Sequence, residues 1–421
     1  MMTFFILSFI ILLIKIFMEI IDIIYSAPLS QVQGVNYVNN SFVIGKNYFV
    51  NNNLKLGVIV SPEEVFVCEE HECLDTIGVG HTTMSYRRKR LFRNILRVLF
   101  TSKLLPGSLV KYFFNVYCPA KNAALRYLSL ERNSKYILFQ GIFEAYYYFK
   151  YVGEEKKQVK TVWMNHGDGV AFSMEKPVFP AIFRYKWLAN KLYYAKYNFA
   201  VNRLDKIVFL SKKAIKTCID IDDSKKICIY NGEKDLPNVV FKKNQDITEI
   251  VCVGSINYRK GQDLLIQSLV LLPNHIRENI HVNLIGGGPQ LQKIKKYVEN
   301  NGLSRFVKFW GIRNDVPEIL KNMDVFCLPS SNEGMPMVLI EAMRQGLYIL
   351  GTDTGGIKEM IRPEYGKIIT RDPRNIAEKI VEIVDNHLVT EESRKASRKS
   401  FEDNFTLKRN IDSFSNMFNS L

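Results

Sequence analysis

Short apolar runs alternate with longer amphipathic stretches along most of this chain, and each run is about as long as one strand. Runs of this length that end in turn residues are typical of parallel strands covered on both faces. Helical stretches separate them, which predicts parallel sheets in an α/β protein. With their turn residues, the clearest runs are 20–25, 136–141, 161–169, 206–211, 227–232 and 324–329.

The length of the chain, 421 residues, is too great for one ordinary hydrophobic core and predicts two domains. A polar segment, residues 233–247, divides the strand-forming runs into two groups and is predicted to be a linker. The predicted first domain is then 18–232 and the second is 248–391. An apolar extension, 1–17, precedes them, and a polar-amphipathic helix, 392–421, follows them.

The most informative stretch joins a short apolar run to a helix, with one carboxylate before the helix and another inside it. Pro336 suits the first helical position, where its missing N–H is no loss, and Gly346 is placed to end the helix. The N–H groups near residues 335–338 then point outward from the carboxyl edge of a sheet, a geometry that binds phosphate. Glu333 and Glu341 flank this site as acceptors for hydroxyl groups. A diphosphate between two polyhydroxylated rings is a nucleotide sugar.

This stretch resembles the E-x7-E signature of retaining GT-B glycosyltransferases, the glycogen-synthase-like group also called family 4. The neighbouring segments that resemble the family in order and spacing are 254–261 (GSINYRKG), 284–289 (LIGGGP), 307–311 (VKFWG) and 354–359 (TGGIKE). The resemblance is strong over about residues 248–385 and traceable over the first half. It implies a GT-B fold, in which two Rossmann-like doubly wound α/β domains face a central cleft. The segment 392–421 would then return to the first domain.

The resemblance implies a role for each matching residue. Glu341 would accept hydrogen bonds from the ribose hydroxyls, and Glu333 from the hydroxyls of the donor sugar. Lys260 would neutralise the departing diphosphate, and Gly311 would contact the base through its main chain. His166, at a strand end facing the cleft, resembles a histidine that contacts the donor sugar near the reacting carbon. The alternatives are solvated carboxylates, a loop solubility charge for Lys260 and a turn hydrogen bond for His166.

The implied catalytic residues are therefore His166, Glu333 and Lys260. The implied donor-binding set is Gly34, Arg259, Lys260, Gly311, Glu333, Gly334, Met335, Met337 and Glu341. Of these, Gly334, Met335 and Met337 would act through backbone N–H groups.

The chain departs from the family at two places. Ser255 stands where the family often has an arginine. Either the neighbouring Arg259 replaces that cation or the donor pocket is weaker. Gly34 is single where the family usually has two adjacent glycines, and a plain turn explains it almost as well. Asp168 is a further candidate for acceptor contact, although a turn-forming Asp-Gly pair explains it equally well.

The function that this resemblance implies is retaining transfer of a sugar from a nucleotide-sugar donor to a lipid-linked or surface-glycan acceptor. The implied setting is bacterial capsule, O-antigen or lipopolysaccharide synthesis. We expect no metal and no further cofactor, since the leaving phosphate itself can accept the proton of the acceptor hydroxyl. The alternatives are a GT-B nucleotide-sugar epimerase and a catalytically silent sugar-nucleotide-binding or scaffold protein.

The net charge of the chain and its distribution indicate what kind of partner the protein has. Residues 1–240 hold 32 Lys and Arg against 20 Asp and Glu, so they carry most of the net charge of +15. No nucleic-acid recognition motif is present, and we expect an anionic membrane surface or a phosphorylated acceptor instead. A basic amphipathic helix is predicted at 86–100, and a basic-aromatic segment follows at 184–197. The predicted membrane or acceptor residues are Arg87, Arg88, Lys89, Arg90, Arg93 and Arg97.

Two alternatives about the membrane stay open at this point. The helix at 86–100 is equally well explained as a core-facing helix with a solvated basic face. Residues 1–17 are explained either as a membrane-dipping N-terminus or by a start codon assigned too early, with Met18 as the true start. Seven scattered cysteines indicate reduced thiols, so the expected location is cytoplasmic, peripheral on the inner face of the plasma membrane.

Overall fold

The computed structural model describes residues 18–27, 35–68, 103–152, 159–236, 239–241 and 247–421. Three predictions therefore lie outside the described residues: the N-terminal extension 1–17, the glycine loop with Gly34, and the basic helix 86–100. The chain divides into two compact units. The first unit contains the described residues up to Phe209, then Ile215–Ile229 and Ile411–Leu421, and the second contains Leu210–Ala214 and Tyr230–Asn410.

The first unit is built around a seven-stranded sheet. Its strands are β1 (Glu19–Ile24), β2 (Leu54–Val60), β3 (Val65–Val67), β4 (Tyr136–Phe139), β5 (Lys160–Asn165), β6 (Lys206–Phe209) and β7 (Lys226–Cys228). Their order is β3-β2-β1-β4-β5-β6-β7, and only β3 pairs antiparallel. The order reverses between β1 and β4, which is the switch point where doubly wound sheets bind ligands.

The helices up to residue 217 cover this sheet. They are α1 (Val35–Ile44), α2 (Lys46–Val50), α3 (Leu105–Tyr112), α4 (Cys118–Leu128), α5 (Ile142–Tyr151), α6 (Glu175–Val178), α7 (Pro180–Arg184), α8 (Lys186–Ala189), α9 (Ala195–Arg203) and α10 (Lys212–Thr217). Two π-helical turns, Phe113–Tyr117 and Asn190–Tyr194, connect α3 to α4 and α8 to α9, and a 3₁₀ turn covers Asp223–Lys225.

The second unit has a fully parallel six-stranded sheet. Its strands are β8 (Thr248–Val253), β9 (Ile280–Ile285), β10 (Val307–Gly311), β11 (Val325–Leu328), β12 (Tyr348–Thr352) and β13 (Gly366–Ile369), in the order β10-β9-β8-β11-β12-β13. The later helices are α11 (Gln262–Leu271), α12 (Asn274–Glu278), α13 (Leu291–Asn300), α14 (Val316–Leu320), α15 (Met337–Arg344), α16 (Ile357–Met360), α17 (Pro373–Asp385), α18 (Glu391–Asn404) and α19 (Leu407–Asn419). The switch point of this sheet lies between β8 and β11.

A buried ion pair fixes the two strands that flank this switch point. Asp324 lies just before β11, and its Oδ2 accepts a hydrogen bond of 2.8 Å from the backbone N–H of Glu249 in β8. Its Oδ1 pairs with Arg394, whose side chain is 2% exposed. The starts of β8 and β11 are therefore held together, and the carboxyl ends of these two strands lie side by side at the switch point.

Strand β2 could not be predicted from the sequence because a glycine interrupts its apolar run. The structure explains this glycine by a close approach. A Cβ at Gly57 would lie 2.2 Å from Oδ1 of Asp22, a buried carboxylate on the adjacent β1.

The predicted single helix at 392–421 is instead two helices, α18 and α19. The backbone of Glu233 donates to Phe405 O at 2.9 Å and accepts from Leu407 N at 2.8 Å. These bonds to a distant segment interrupt the helix at Thr406. They also attach the first residue of the predicted linker 233–247 to the second unit.

Candidate functional site

A carboxylate with three donors lies beyond the carboxyl end of β11. Oε1 of Glu333 accepts from Ser330 Oγ at 2.7 Å, from Lys260 Nζ at 2.8 Å and from Arg259 Nη1 at 2.9 Å. Glu333 as a whole is only 6% exposed. Among the described residues, its other oxygen, Oε2, has no hydrogen-bond or ion-pair partner. Glu333 is thus oriented by one oxygen and keeps the other for a ligand hydroxyl.

The loop after β8 brings the two cations to this carboxylate. Lys260 donates its backbone N–H to Oδ1 of Asn257 at 3.1 Å, which turns the loop just before α11. Arg259 also donates from Nη1 to the backbone oxygen of Asn332 at 2.7 Å, so its guanidinium joins the loops after β8 and β11. Ser255 accepts a 3.2 Å bond from the side chain of Asn257. Arg259 therefore lies beside Lys260 as a second cation on Glu333, and its replacement of the family's arginine stays a prediction.

A second arginine, which the sequence analysis missed, clamps this loop. Arg371 follows β13 and donates to the backbone oxygens of Pro329 at 2.5 Å, Tyr258 at 2.7 Å and Arg259 at 3.1 Å. Burial lowers the pKa of Arg371. The side chain fixes the loop that carries both cations against the end of β11. No sequence spacing signals this role, because the contact depends on strand order.

The Thr-Gly-Gly segment after β12 packs on the peptide of Glu333. Gly355 has a φ of +51°, and a Cβ there would lie 1.8 Å from Glu333 O. Gly356 donates its N–H to the oxygen of Gly334 at 2.6 Å. Only glycine can occupy position 355, which gives a physical reason for the 354–359 motif.

Helix α15 starts one residue later than predicted. Pro336 has extended backbone angles, and its oxygen accepts from the N–H groups of Leu339 and Ile340, so it caps the helix and does not begin it. The N–H groups of Met337 and Val338 precede this first helical bond. The prediction for the other end is confirmed, because Gly346 has a φ of +73° and follows the last helical turn.

The remaining predicted donor residues lie around this helix. Glu341 is on the second turn of α15 and is 5% exposed, so the alternative of a solvated helix-surface glutamate is wrong. Gly334 and Met335 form the loop before the helix, and the oxygen of Met335 accepts from Asn231 Nδ2 at 3.0 Å. Gly311 ends β10, and a Cβ there would meet nothing within 4 Å, so the space above its backbone is open.

The first unit places His166 beyond the end of β5, in a hydrogen-bond chain with uncharged partners. His166 Nε2 lies 2.7 Å from Oε1 of Gln140, and Gln140 donates from Nε2 to Oδ1 of Asn39 at 2.6 Å. Because Gln140 donates to Asn39, its Oε1 accepts from His166, and Nδ1 is the acceptor nitrogen of the ring. Desolvation lowers the pKa of His166 to about 4. The histidine is thus neutral at physiological pH.

Two further polar residues of the first unit are Asp168, which the sequence singled out, and Glu144, which it did not. Asp168 Oδ1 accepts from the N–H of Val170 at 3.1 Å and from Ser173 Oγ at 2.7 Å, as a turn-forming aspartate does. Glu144, which the sequence analysis missed, is 2% exposed at the start of α5, and burial raises its pKa. The carboxyl group of Glu144 lies against Gly141, in the turn between β4 and α5.

The structure therefore brings Arg259, Lys260 and Glu333 into one cluster, and Glu341 lies on the adjoining helix. His166 belongs to the other unit. The described residues include no group of three or more side chains suited to hold a metal ion. Within the same residues, every helix is too short or too polar to cross a bilayer.

The two sheets, both with the doubly wound strand order, define two Rossmann-like domains of the GT-B fold. A solved Anabaena structure, HepE in complex with UDP, shares this fold with a TM-score of 0.64. The two are 15% identical, and the similarity covers 96% of this chain and 100% of that one. Identity this low shows the fold and nothing finer.

The sequence comparisons point to one family. Residues 236–402 match the family model of glycosyl transferases group 1. A glycosyltransferase of Methanocaldococcus jannaschii is 28% identical over 225 residues, which is 52% of this chain and 59% of that protein. An Escherichia coli UDP-Gal:alpha-D-GlcNAc-diphosphoundecaprenol alpha-1,3-galactosyltransferase is 26% identical over 148 residues, 34% of this chain and 38% of that protein. The chain thus spans less than two thirds of these relatives.

Proposed function

We propose that this protein is a retaining glycosyltransferase of the family 4 group. In this proposal it moves a sugar from a nucleoside diphosphate sugar to a lipid-linked or surface-glycan acceptor in lipopolysaccharide or capsule synthesis. The observation that carries the proposal is the Glu333 cluster at the β8–β11 switch point. It combines a free carboxylate oxygen for a sugar hydroxyl with two cations for a diphosphate.

The cluster suits the departure of a diphosphate. As the bond from the anomeric carbon to the diphosphate oxygen breaks, negative charge grows on that oxygen. Lys260 and Arg259 stabilise this charge, and the N–H groups of Met337 and Val338 add a helix N-terminus. Buried Glu341 accepts from the ribose hydroxyls. The role of these positions is to bind and orient the donor before any bond changes.

The acceptor hydroxyl attacks on the face from which the diphosphate leaves. A new bond forms between its oxygen and the anomeric carbon, and its proton passes to the departing phosphate oxygen, so atoms and charge balance. His166 is the catalytic histidine that the family resemblance implies, and in its neutral form it offers Nδ1 as an acceptor to a sugar hydroxyl. This route needs no metal and no nucleophilic side chain.

The names of similar proteins support the class of donor and acceptor. HepE was crystallised with UDP, and the E. coli relative is named for a UDP-galactose donor and a diphosphoundecaprenol-linked acceptor. Lipid-linked acceptors lie in a membrane. We therefore place the protein on the inner face of the plasma membrane, with an anionic lipid surface as a partner.

Incubation of the purified protein with radiolabelled nucleotide sugars, with and without lipid-linked glycan acceptors, tests the proposal. Transfer with a product of unchanged anomeric configuration by NMR is the expected result. Conversion of the donor to an epimer without acceptor would assign an epimerase instead. Binding of nucleotide without hydrolysis or transfer to any acceptor would leave a scaffold protein.

A further inference from the structure

Three lysines of the first unit lie among tyrosine rings. Lys196, on α9, lies within 6.0 Å of the ring centroids of five aromatic side chains, which are Tyr112, Tyr117, Phe143, Tyr146 and Tyr147. Lys121 on α4 lies 5.9 Å from the Tyr117 centroid, and Lys150 on α5 lies 5.9 Å from that of Tyr146. Both also lie within 5.8 Å of the Tyr151 centroid. We call this group the lysine–tyrosine cluster.

Within the described part of the chain, no acidic side chain balances the charge of the cluster. No described carboxylate pairs with Lys121, Lys150 or Lys196, and residues 103–130 and 184–204 contain no Asp or Glu. Glu144 is the one acidic residue on α5, and it is fully buried at the other end of that helix, beside Gly141. Burial first, and then the charge of Lys150, lowers the pKa of Lys196 to about 8. An anion would relieve the repulsion between these lysines.

Hydroxyl groups converge at the same place. The hydroxyl of Tyr147 is buried beside that of Tyr112, and among the described residues it makes no hydrogen bond of ordinary geometry. Burial, and then the neighbouring hydroxyls of Tyr112, Tyr117, Tyr146 and Tyr151, raises its pKa. Lys196 donates to Tyr112, which leaves two of its ammonium protons for another acceptor. Ammonium and phenol donors around one point are the groups that bind phosphate oxygens.

Exposed aromatic rings border the cluster. Phe113 is 47% exposed and stacks on Tyr117 with a centroid distance of 5.3 Å. Its neighbour Phe114 is 56% exposed. Both belong to the π-helical turn that joins α3 to α4. A free phosphate ion gains nothing from these rings, whereas the chains of a lipid bury them.

We propose that the lysine–tyrosine cluster binds the phosphate of an anionic membrane lipid, with Phe113 and Phe114 entering the apolar layer beside it. This inference rests on the proposed place of the protein at a membrane surface. It adds a specific contact in the described part of the first unit, independent of the basic helix at 86–100.

Co-sedimentation with vesicles measures this contact without any sugar transfer. The full chain should bind vesicles of phosphatidylglycerol and phosphatidylcholine and should bind pure phosphatidylcholine poorly. The triple variant Lys121→Gln, Lys150→Gln, Lys196→Gln should lose about 100-fold in affinity, since each lysine near an anionic surface contributes about fivefold. The matched control is Lys216→Gln, an exposed lysine on α10, which should lose no more than about fivefold.

A second pair of variants separates lipid from free phosphate. Phe114→Ser should weaken binding to the anionic vesicles, whereas Ile219→Ser, an 85% exposed residue elsewhere in the first unit, should not. If inorganic phosphate binds the cluster by calorimetry and Phe114→Ser leaves vesicle binding unchanged, the site takes free phosphate and the lipid proposal is wrong.

If the triple variant does not fold, the unmutated chain allows a second test. Mass spectrometry can measure the rate at which an acylating reagent modifies Lys196 in the presence of vesicles. Anionic vesicles should slow this acylation, and phosphatidylcholine vesicles should not. Equal rates in both would contradict the proposal. If the unmutated protein binds no anionic vesicle, the membrane partner of the proposed function fails as well. If it binds and the folded triple variant binds equally, only the cluster is wrong.

Discussion

The two sheets share a strand order but differ in the chemistry at their carboxyl ends. In the second unit, Glu333 is held by Lys260 and Arg259, so this edge is ionic. In the first unit, the chain from His166 through Gln140 to Asn39 is uncharged. The comparison shows that the same scaffold can carry an ionic edge or an uncharged hydrogen-bond chain, depending on the loops that follow its strands.

The largest effect should come from the ionic edge. Lys260→Ala removes a cation that meets growing charge, so kcat should fall by about 10²–10³-fold, with a smaller change in donor affinity. Steady-state kinetics with the cognate donor measures both constants. Lys321→Ala, an exposed lysine in the same unit, is the control. A rise in KM with unchanged kcat would show that Lys260 serves only ground-state binding.

Glu341→Ala should weaken nucleotide binding and affect turnover less. Loss of a buried acceptor for ribose hydroxyls costs about 1–3 kcal/mol, or about 5- to 150-fold in Kd. Isothermal titration with the nucleoside diphosphate gives this value directly. Glu318→Ala, on the exposed surface of α14, should bind normally. If both variants bind as the unmutated protein does, Glu341 does not face the ribose.

The lowered pKa of His166 should make the folding stability of the protein depend on pH. The pKa of His166 is about 4 in the folded chain against an ordinary 6.5. The unfolded chain therefore binds a proton between pH 6.5 and pH 4 that the folded chain does not, and stability falls as pH falls through this window. Glu144, with a raised pKa, acts in the opposite sense as pH rises above its ordinary value.

The difference between variants isolates the histidine. Thermal unfolding of His166→Gln should show a shallower loss of Tm between pH 6.5 and pH 4 than the unmutated chain. Glu144 is present in both proteins, so its contribution cancels. Parallel curves for the two proteins would mean that His166 binds a proton equally in the folded and unfolded states, so its pKa is not lowered by folding.

The smallest effect should come from the position where the family often has an arginine. Ser255→Arg adds a cation to the loop of Lys260 and should tighten diphosphate binding a few-fold, measured by calorimetry. An unchanged Kd would indicate that Arg259 already fills this role or that the loop does not face the diphosphate.

The ionic edge could be predicted from sequence because its residues lie in short segments of fixed order. Glu333 follows a recognisable buried run, Lys260 lies in a segment that resembles the family, and parallel strands place their carboxyl ends at one edge. The start of α15 was misplaced by one residue because Pro336 is equally compatible with the extended cap position. The backbone oxygen of Pro336 accepts the first helical hydrogen bonds, which makes Pro336 the cap residue and not the first residue of the helix.

The rest of the site depends on contacts that no spacing records. Arg371 reaches the Lys260 loop only because β13 leads back to the same edge. Gln140 and Asn39 meet His166 because β4 lies between β1 and β5. The break between α18 and α19 likewise depends on Glu233, far away in sequence. Polar side chains of this kind carry no periodic signal, so only the folded chain reveals their partners.

In the proposed function, the second unit binds a nucleoside diphosphate sugar at the Glu333 cluster. A thermal-shift series with UDP, GDP, ADP and their sugars tests it most directly, because a ligand that binds the folded state raises Tm. One nucleotide series should raise Tm in the unmutated protein, and the double variant Lys260→Ala, Glu341→Ala should lose that shift while remaining folded. An equal shift in the folded double variant, or no shift with any nucleotide in the unmutated protein, would contradict the account.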